Sequence, residues 1–366
     1  ARGGRSALRE AIGSVDENGV WTRKRPDPAE LQKRVTPHAR GAVLVAAVFD
    51  AFIAIYKSRI ADLLRIYTGG TGVLPTGAIH PDLVRRLADE AAKSANHVLN
   101  MCIRALDYLP PVDVTFFEYL RALITADYDL VTDDRHNYRV AFVEAFRRRA
   151  IYPDDIDAPT SETPRTLSVD TLRWQGLDQN EFPSRVRAAI RQQFGSVIDG
   201  LKHYADDCLY LSDRRQLFEV TREHRRQLHE QLVAAFKVVP EFAAELGLDP
   251  ARRFEVHELR RAMRVGPDGR HVPQLVVALT QSQVVKRDAR SGTPRHIFRS
   301  GATLVVDLSR PQVKYRILKN VKSTRRKERT AAFIRETATD PLRALFFSPD
   351  RREPFAALHA LADEGF

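Results

Sequence analysis

One stretch of the chain, Thr36 to Tyr56, limits how the rest can fold. Fifteen of its residues, 42–56, include a single charged side chain, Asp50. A helix that is apolar on nearly every side normally lies at the centre of a domain, because no face of it suits water. The run is shorter than the about 20 apolar residues that a bilayer requires. It therefore predicts a buried central helix that carries His38 at its N-terminal end, reaches about Tyr67 and stops at the glycine-rich residues 69–72.

The chain is long enough for two domains, and its composition is that of a globular protein. It has 366 residues, of which 43% are apolar and 29% are charged. Its two cysteines, Cys102 and Cys208, lie too far apart to suggest a disulfide framework or a metal-binding pair, which favours a reducing compartment. Since no signal peptide or spanning segment is recognised, the expected location is the cytoplasm. The opening residues 1–10 resemble the middle of a domain, so N-terminal targeting information is expected to be missing.

The first predicted domain, residues 1–152, contains only helices and loops. A turn is expected at Asp16 to Gly19, and Pro81 is placed to begin a helix whose apolar residues recur at helical spacing. Thr115 and Glu118 have the spacing of a capping box at the start of a further helix. A last helix is expected at about residues 137–149. We therefore predict a helical bundle.

The second predicted domain, residues 169–366, follows a linker at residues 153–168 that is rich in proline and acidic residues. Two amphipathic helices are predicted within residues 184–236. Two strand pairs, each divided by a turn signal containing proline, are predicted within about residues 253–318. The expected fold is a mainly α domain followed by a smaller α+β domain with antiparallel strands.

No complete catalytic or metal-binding motif is present. His257 and Glu258 begin an H-E-x-x-H pattern, but its fifth residue is Arg261. His224 and His229 are five residues apart, which places them on different faces of a helix. Without two ligands on one face and a third group, this chain is not expected to bind zinc alone.

His38 has two interpretations when its sequence position is considered alone. It is either a structural, hydrogen-bonded histidine at a helix end or a donor that faces a cleft. The second interpretation is supported by the preference of helix N-termini for negative charge. Arg9, by contrast, has nothing by itself to distinguish it from other surface arginines.

The order of several short motifs adds a family resemblance. Leu8-Arg9 precedes His38 by a little under thirty residues, and His38 opens a long helix rich in small residues. The later parts of the pattern are Ile103-Arg104-Ala105-Leu106, the loop at residues 109–115, Leu120-Arg121-Ala122 onward to Asp127, and Val143-Glu144-Ala145-Phe146. Residues 7–153 thereby resemble the C-terminal helical lobe of the thermolysin-like zinc metallopeptidases, the gluzincins. The remainder is similar to extensions found in large uncharacterised bacterial proteins.

The resemblance implies roles for two residues and a cofactor. His38 would be the catalytic histidine that hydrogen-bonds the oxyanion, and Arg9 would bind the substrate carbonyl of a peptide or protein. Zinc would belong to the parent protein, held by an H-E-x-x-H part that is absent from this chain and is expected N-terminal to it or as a separate chain. One departure concerns Lys33, because the family usually has an aspartate five residues before the histidine.

Two alternatives remain open. The chain is also interpretable as a non-catalytic binding module or as a degenerate peptidase scaffold. The net charge of +11 allows nucleic acid as a partner, although this is not favoured over a solvated charged surface, and no membrane association is expected. The basic residues behind this alternative are Arg310, Lys314, Arg316, Lys319, Lys322, Arg325, Arg326 and Lys327.

Overall fold

The computed structural model describes residues 12–34, 37–131, 133–152, 168–177, 184–265, 269–287, 292–310 and 312–337. They form two compact units, the first from residues up to 109, 114–176 and 263–273, and the second from 110–113, 177–262 and residues from 274 onward. Residues 153–167 of the predicted linker lie outside the described residues. The fold is mainly α, followed by a smaller α+β region with a four-stranded antiparallel sheet, as the sequence predicts.

The first unit begins with a hairpin that the sequence analysis did not predict. Strands β1 (Gly13–Val15) and β2 (Trp21–Arg23) pair in antiparallel fashion. The predicted turn at Asp16 to Gly19 connects them, and Gly19 has a φ of 78°. Each strand has three residues, which is too short to show the alternation that identifies a strand.

Helix α2 (Pro37–Tyr67) dominates the first unit and follows a short helix, α1 (Glu30–Lys33). The predicted end of α2 is confirmed. Gly69 (φ 56°) and Gly70 (φ 85°) donate backbone hydrogen bonds to the carbonyls of Ile66 and Arg65, at 3.2 and 2.8 Å. These two bonds form a Schellman motif, in which the left-handed conformation at the first glycine stops the helix.

Three further long helices complete the bundle. They are α3 (Pro81–Ala105), α4 (Phe116–Tyr128) and α5 (Tyr138–Arg147), with a single 3-10 turn at Leu106–Tyr108 and a short helix α6 (Val169–Leu172). Two predicted starts are confirmed, because α3 has Pro81 in its first turn and α4 has a complete capping box from Thr115 and Glu118.

The core of the first unit lies where α2 packs against α3 and α5. Its buried side chains include Val43, Ala47, Ala51, Ile55, Met101, Leu120, Leu123, Ile124, Phe142 and Phe146. Each large apolar side chain in this set contributes about 1.5–3 kcal/mol through burial. The prediction of a helix buried on all sides is only partly correct, since Val45 is 41% exposed and Phe49 is 38% exposed.

The second unit contains helices and a meander of four strands, except that residues 263–265 and 271–273, at the ends of the first two strands, belong to the first unit. Its elements are α7 (Ser184–Asp207), α8 (Arg214–Val238), α9 (Pro240–Glu245), β3 (Glu255–Val265), β4 (His271–Val285), β5 (His296–Asp307), β6 (Gln312–Lys319) and α10 (Thr324–Thr337). The strands lie in the order β3-β4-β5-β6. Strand β5 begins six residues before the predicted Ala302.

The core of this unit consists of the apolar side chains of α7, α8 and α9 and those of the sheet. They include Ile190, Val197, Leu228, Leu232, Phe236, Phe242, Leu275, Val277, Leu279, Leu304 and Val306. Strands β4 and β5 approach so closely at Gly301, in β5, that a Cβ atom there would overlap the carbonyl oxygen of Leu279 in β4. This position requires glycine because the backbone of β4 occupies the space of a side chain.

Side chains of the two long helices also bind the edge of the sheet. Tyr204 donates its hydroxyl hydrogen to the carbonyl of Leu259 at 3.1 Å, and Arg225 donates to the carbonyl of Val256 at 2.8 Å. The imidazole of His229 lies 3.1 Å from the carbonyl of Phe254. These contacts attach α7 and α8 to strand β3 and to the residue just before it.

Candidate functional site

The structure places one of the two predicted site residues. His38 is the second residue of α2 and is half-buried. Arg9 lies outside the described residues. The predicted roles of both residues therefore stay predictions.

The start of α2 is attached to the helix before it. Arg40, in the first turn of α2, donates from its Nη1 to the carbonyl of Leu31 at 3.1 Å and to that of Arg34 at 3.4 Å. These acceptors are at the end of α1, where carbonyl groups lack partners within the helix. The arginine thus holds the segment that carries His38 against α1.

Lys33, the departure from the family pattern, is the last residue of α1 and has a carboxylate nearby. Its Nζ lies 3.1 Å from Oδ2 of Asp27, and its side chain is 67% exposed. The backbone N–H of Ala29 and the ammonium of Lys33 hold the pKa of Asp27 below its usual value. A negative charge is therefore present in this segment, six residues before the position where the family places it.

A buried ion-pair cluster lies farther along α2. Asp50 is 2.7 Å from Nη1 of Arg149 and 2.8 Å from Nη2 of Arg23. The carboxylate and Arg149 are both almost fully buried. This cluster connects the β1–β2 hairpin, α2 and the chain just after α5. The sequence showed Asp50 as the one charge in an apolar run, but nothing in it identified the two arginines as partners.

A pocket of about 250 Å³ opens beside this cluster between α2 and α5. Its polar lining residues are Asp50, Ser58, His136, Asn137, Glu144 and Arg148. Their donors and acceptors suit a small polar group. Among the described residues that line it, no nucleophile lies at hydrogen-bonding distance from a general base.

A second, more apolar groove of about 620 Å³ follows the exposed side of α2. It is lined by Ile53, Tyr56, Lys57, Ile60, Ala61, Leu64, Arg65, Gly70 and Gly72. Toward the N-terminal end of the helix, the rings of Phe49 and Phe52 are 5.4 Å apart, and those of Phe52 and Tyr56 are 6.4 Å apart. We call Val45, Phe49, Phe52, Tyr56 and the groove residues the α2 stripe.

A network of charged groups connects α3, α4 and α5. Asp127 is 3.0 Å from Nε2 of His97 and 2.7 Å from Nε of Arg139, and Asp127 is almost fully buried. The His97 ring also lies 4.3 Å from that of Tyr138. A buried carboxylate with two partners of this kind is a structural connection, because an unpaired charge there would be costly.

The basic residues behind the nucleic-acid alternative are partly engaged elsewhere. Arg316 lies 3.0 Å from the carbonyl of Glu245, and Arg326 lies 2.6 Å from a carboxylate oxygen of Asp113. Lys319 is buried, with 4% of its surface exposed. The described part of this surface therefore presents fewer exposed cations than the sequence suggests.

Within the described ranges, no group of three histidine, cysteine, aspartate or glutamate side chains is arranged to hold a metal ion in this conformation. One described helix, His38–Tyr67, is long and apolar enough to cross a membrane, and 33% of its most apolar window is buried. A single helix of this kind is weak evidence for a membrane span, because core helices pass the same test. The cytoplasmic location stays a prediction.

The fold and the site define a helical unit with a histidine at the start of its longest helix, joined in sequence to an α+β unit. No protein-family model matches the chain, and neither a curated protein nor a solved structure matches it significantly.

Proposed function

We propose that the chain is the C-terminal part of a thermolysin-like zinc peptidase and supplies one wall of its substrate cleft. In this proposal His38 donates a hydrogen bond to the oxyanion, and Arg9 binds the substrate carbonyl. The observation that supports it best is the α2 helix, which carries His38 in its first turn and has an apolar stripe on its surface.

The position of His38 suits an oxyanion donor. Backbone N–H groups at a helix N-terminus favour negative charge, and an imidazole N–H in the first turn adds a directed hydrogen bond. Losing one donor of this kind typically costs about 2.7–4 kcal/mol of transition-state stabilisation. The hydrogen bonds of Arg40 to α1 keep this end of the helix in place.

The α2 stripe supports the proposal that another part of the protein forms the second wall of the cleft. Large apolar side chains on a helix surface normally face another element, since leaving each in water forgoes part of the about 1.5–3 kcal/mol gained by burial. The resemblance places the zinc-bearing and glutamate-bearing helices before this lobe. In the proposal, helices of that catalytic part cover the stripe.

The described residues do not fit a catalytic zinc. The grouping that the family uses, two histidines on one helix face and a glutamate from another helix, does not occur among them. In the proposal, as the resemblance implies, the ion belongs to the catalytic part of the parent protein, and this chain contributes hydrogen bonds and shape to the cleft.

The test compares this chain with the protein that includes its upstream coding region. The longer protein should cleave peptides in a chelator-sensitive manner, and this chain alone should not. In the longer protein, His38→Ala should lower kcat by about 10²–10³-fold with a smaller change in KM. His257→Ala, an exposed histidine on β3, is the matched control and should leave kcat unchanged.

Two results would contradict the proposal. Chelator-sensitive cleavage by this chain alone would place the site elsewhere. An upstream region that lacks both an H-E-x-x-H helix and a second glutamate-bearing helix would remove the peptidase assignment.

A further inference from the structure

The tip of the α7–α8 helix pair brings together two histidines and an aspartate that the proposed function does not use. Asp207, at the end of α7, has its Oδ2 2.8 Å from Nε2 of His224 on α8. The same oxygen lies 3.7 Å from Nε2 of His203, one turn earlier on α7. Both imidazoles thus have Nε2 within 4 Å of one carboxylate oxygen.

We propose that His203, Asp207 and His224 form a binding site for a divalent transition-metal ion, with Zn²⁺ as the expected occupant. Two imidazole nitrogens and one carboxylate oxygen are a common set of protein ligands for zinc, with water completing the coordination. The site is independent of the peptidase proposal, because it lies in the second unit and involves none of the residues assigned to the cleft.

The contact between His224 and Asp207 is a hydrogen bond, and the separations of both histidines from Asp207 are also near those of ligands that share an ion. Ligands about 2.0–2.1 Å from a tetrahedral zinc are about 3.3 Å from one another, and the two observed separations, 2.8 and 3.7 Å, lie on either side of this value. The rings of His203 and His224 have centroids 5.8 Å apart. Two imidazoles on one ion would have centroids roughly 5–6 Å apart, since each ring centre lies about 1 Å behind its nitrogen.

In the described conformation, the side chains of His203, Asp207 and His224 are near one another but do not surround a common point. The side chain of His203 is 72% exposed, whereas that of His224 is 10% exposed, so the proposed site requires His203 to move closer to Asp207. His203 and Asp207 are four residues apart on a helix and therefore share a face.

The surroundings hold His224 in the orientation that the site requires. Its ring packs 5.3 Å from that of Tyr204. The Tyr204 hydroxyl is itself hydrogen-bonded to the carbonyl of Leu259 and lies 3.1 Å from Oγ1 of Thr221. Groups that fix a ligand in this way raise metal affinity by reducing the rearrangement that binding needs.

Acidic side chains of α7 add negative charge at the site, and the guanidinium groups of Arg260 and Arg261 act on the neighbouring Tyr204 and Cys208. Asp206 and Asp207 are adjacent at the end of α7, where the helix carbonyls add partial negative charge. A bound ion would connect α7 to α8 and stabilise the pair by an amount that depends on metal concentration.

The experiment is a titration of the purified chain with Co²⁺ followed by visible absorption, then displacement by Zn²⁺. We expect one equivalent of Co²⁺ to produce ligand-field bands that Zn²⁺ removes. Loss of an outer-shell partner typically weakens binding by about 10–100-fold, so His203→Ala and Asp207→Asn, which remove ligands, should each weaken it by at least about tenfold. His257→Ala serves as the matched control and should bind as the unchanged chain does.

His203 and Asp207 are the test positions because they are the more exposed two, so their variants are expected to fold normally, which circular dichroism checks. Zn²⁺ should also raise the Tm of the unchanged chain but not that of His203→Ala. Absence of ligand-field bands would overturn the proposal. So would binding that survives both variants, or binding that is lost instead in Cys208→Ser.

Discussion

Asp50 and Arg149 form an ion pair of 2.7 Å in the interior of the helical unit, with 6% and 3% of their side chains exposed. Arg23 approaches the other carboxylate oxygen from the hairpin at 2.8 Å. One carboxylate in an otherwise apolar helix therefore fixes two separate segments of chain. Removal of one partner of such a pair is more costly than its formation is favourable, because a buried charge is left without compensation.

Asp50→Asn should destabilise the protein by about 3–5 kcal/mol, since it keeps the side-chain shape and removes the charge that faces Arg149. Urea unfolding monitored by circular dichroism measures this. Asp199→Asn is the control, because Asp199 is 78% exposed and lies 3.8 Å from Lys202; its cost should stay below about 1 kcal/mol. Equal effects at both positions would show that the buried pair has no special role.

Gly301→Ala should destabilise the protein by about 1–3 kcal/mol or more, because the added methyl group meets the Leu279 carbonyl and the ring of Pro111. The matched control is Gly195→Ala in α7, where a Cβ has no neighbour within 4 Å. This second change should stabilise by about 0.5–1 kcal/mol, because alanine favours the helix. Thermal unfolding of the two variants should give shifts of opposite sign, and a stabilising Gly301→Ala would contradict the described strand spacing.

Glu90 should make stability depend on pH in the acid range. Hydrogen bonds from Lys93 at 2.9 Å and Arg59 at 2.8 Å hold the pKa of Glu90 below its usual value. A lowered pKa in the folded state means that the carboxylate stabilises the fold above the ordinary glutamate pKa. That contribution is lost as the pH falls through the lowered value.

Glu90→Gln should therefore cost about 1–3 kcal/mol at neutral pH and progressively less under acid conditions. The measurement is the free energy of unfolding of both proteins at constant ionic strength from neutral to acid pH. A difference that stays constant over this range would show that the carboxylate is not stabilised by its two cations.

The parts of the fold that the sequence predicted are those specified by local chemistry. Pro81 predicted the start of α3, Thr115 with Glu118 predicted that of α4, and the glycines after Tyr67 predicted the end of α2. Each of these signals acts within a few residues of the feature it specifies, so one sequence is sufficient.

The features that the sequence did not predict depend on distant residues. The partners of Asp50 are 27 residues before it and 99 residues after it, and no periodicity connects these positions. The prediction that α2 is buried on all sides was only partly correct for the same reason. Hydrophobicity indicates that a helix must be covered, but not which element covers it. The metal-binding proposal likewise depends on two helices lying side by side, which the spacing of His224 along its own helix could not show.

The contacts of α7 and α8 with β3 also bear on self-association. An edge strand with free carbonyl groups can pair with a strand of another molecule and so begin aggregation. Tyr204, Arg225 and His229 already occupy three carbonyl groups at this border. These three carbonyl groups are therefore less available to a foreign strand.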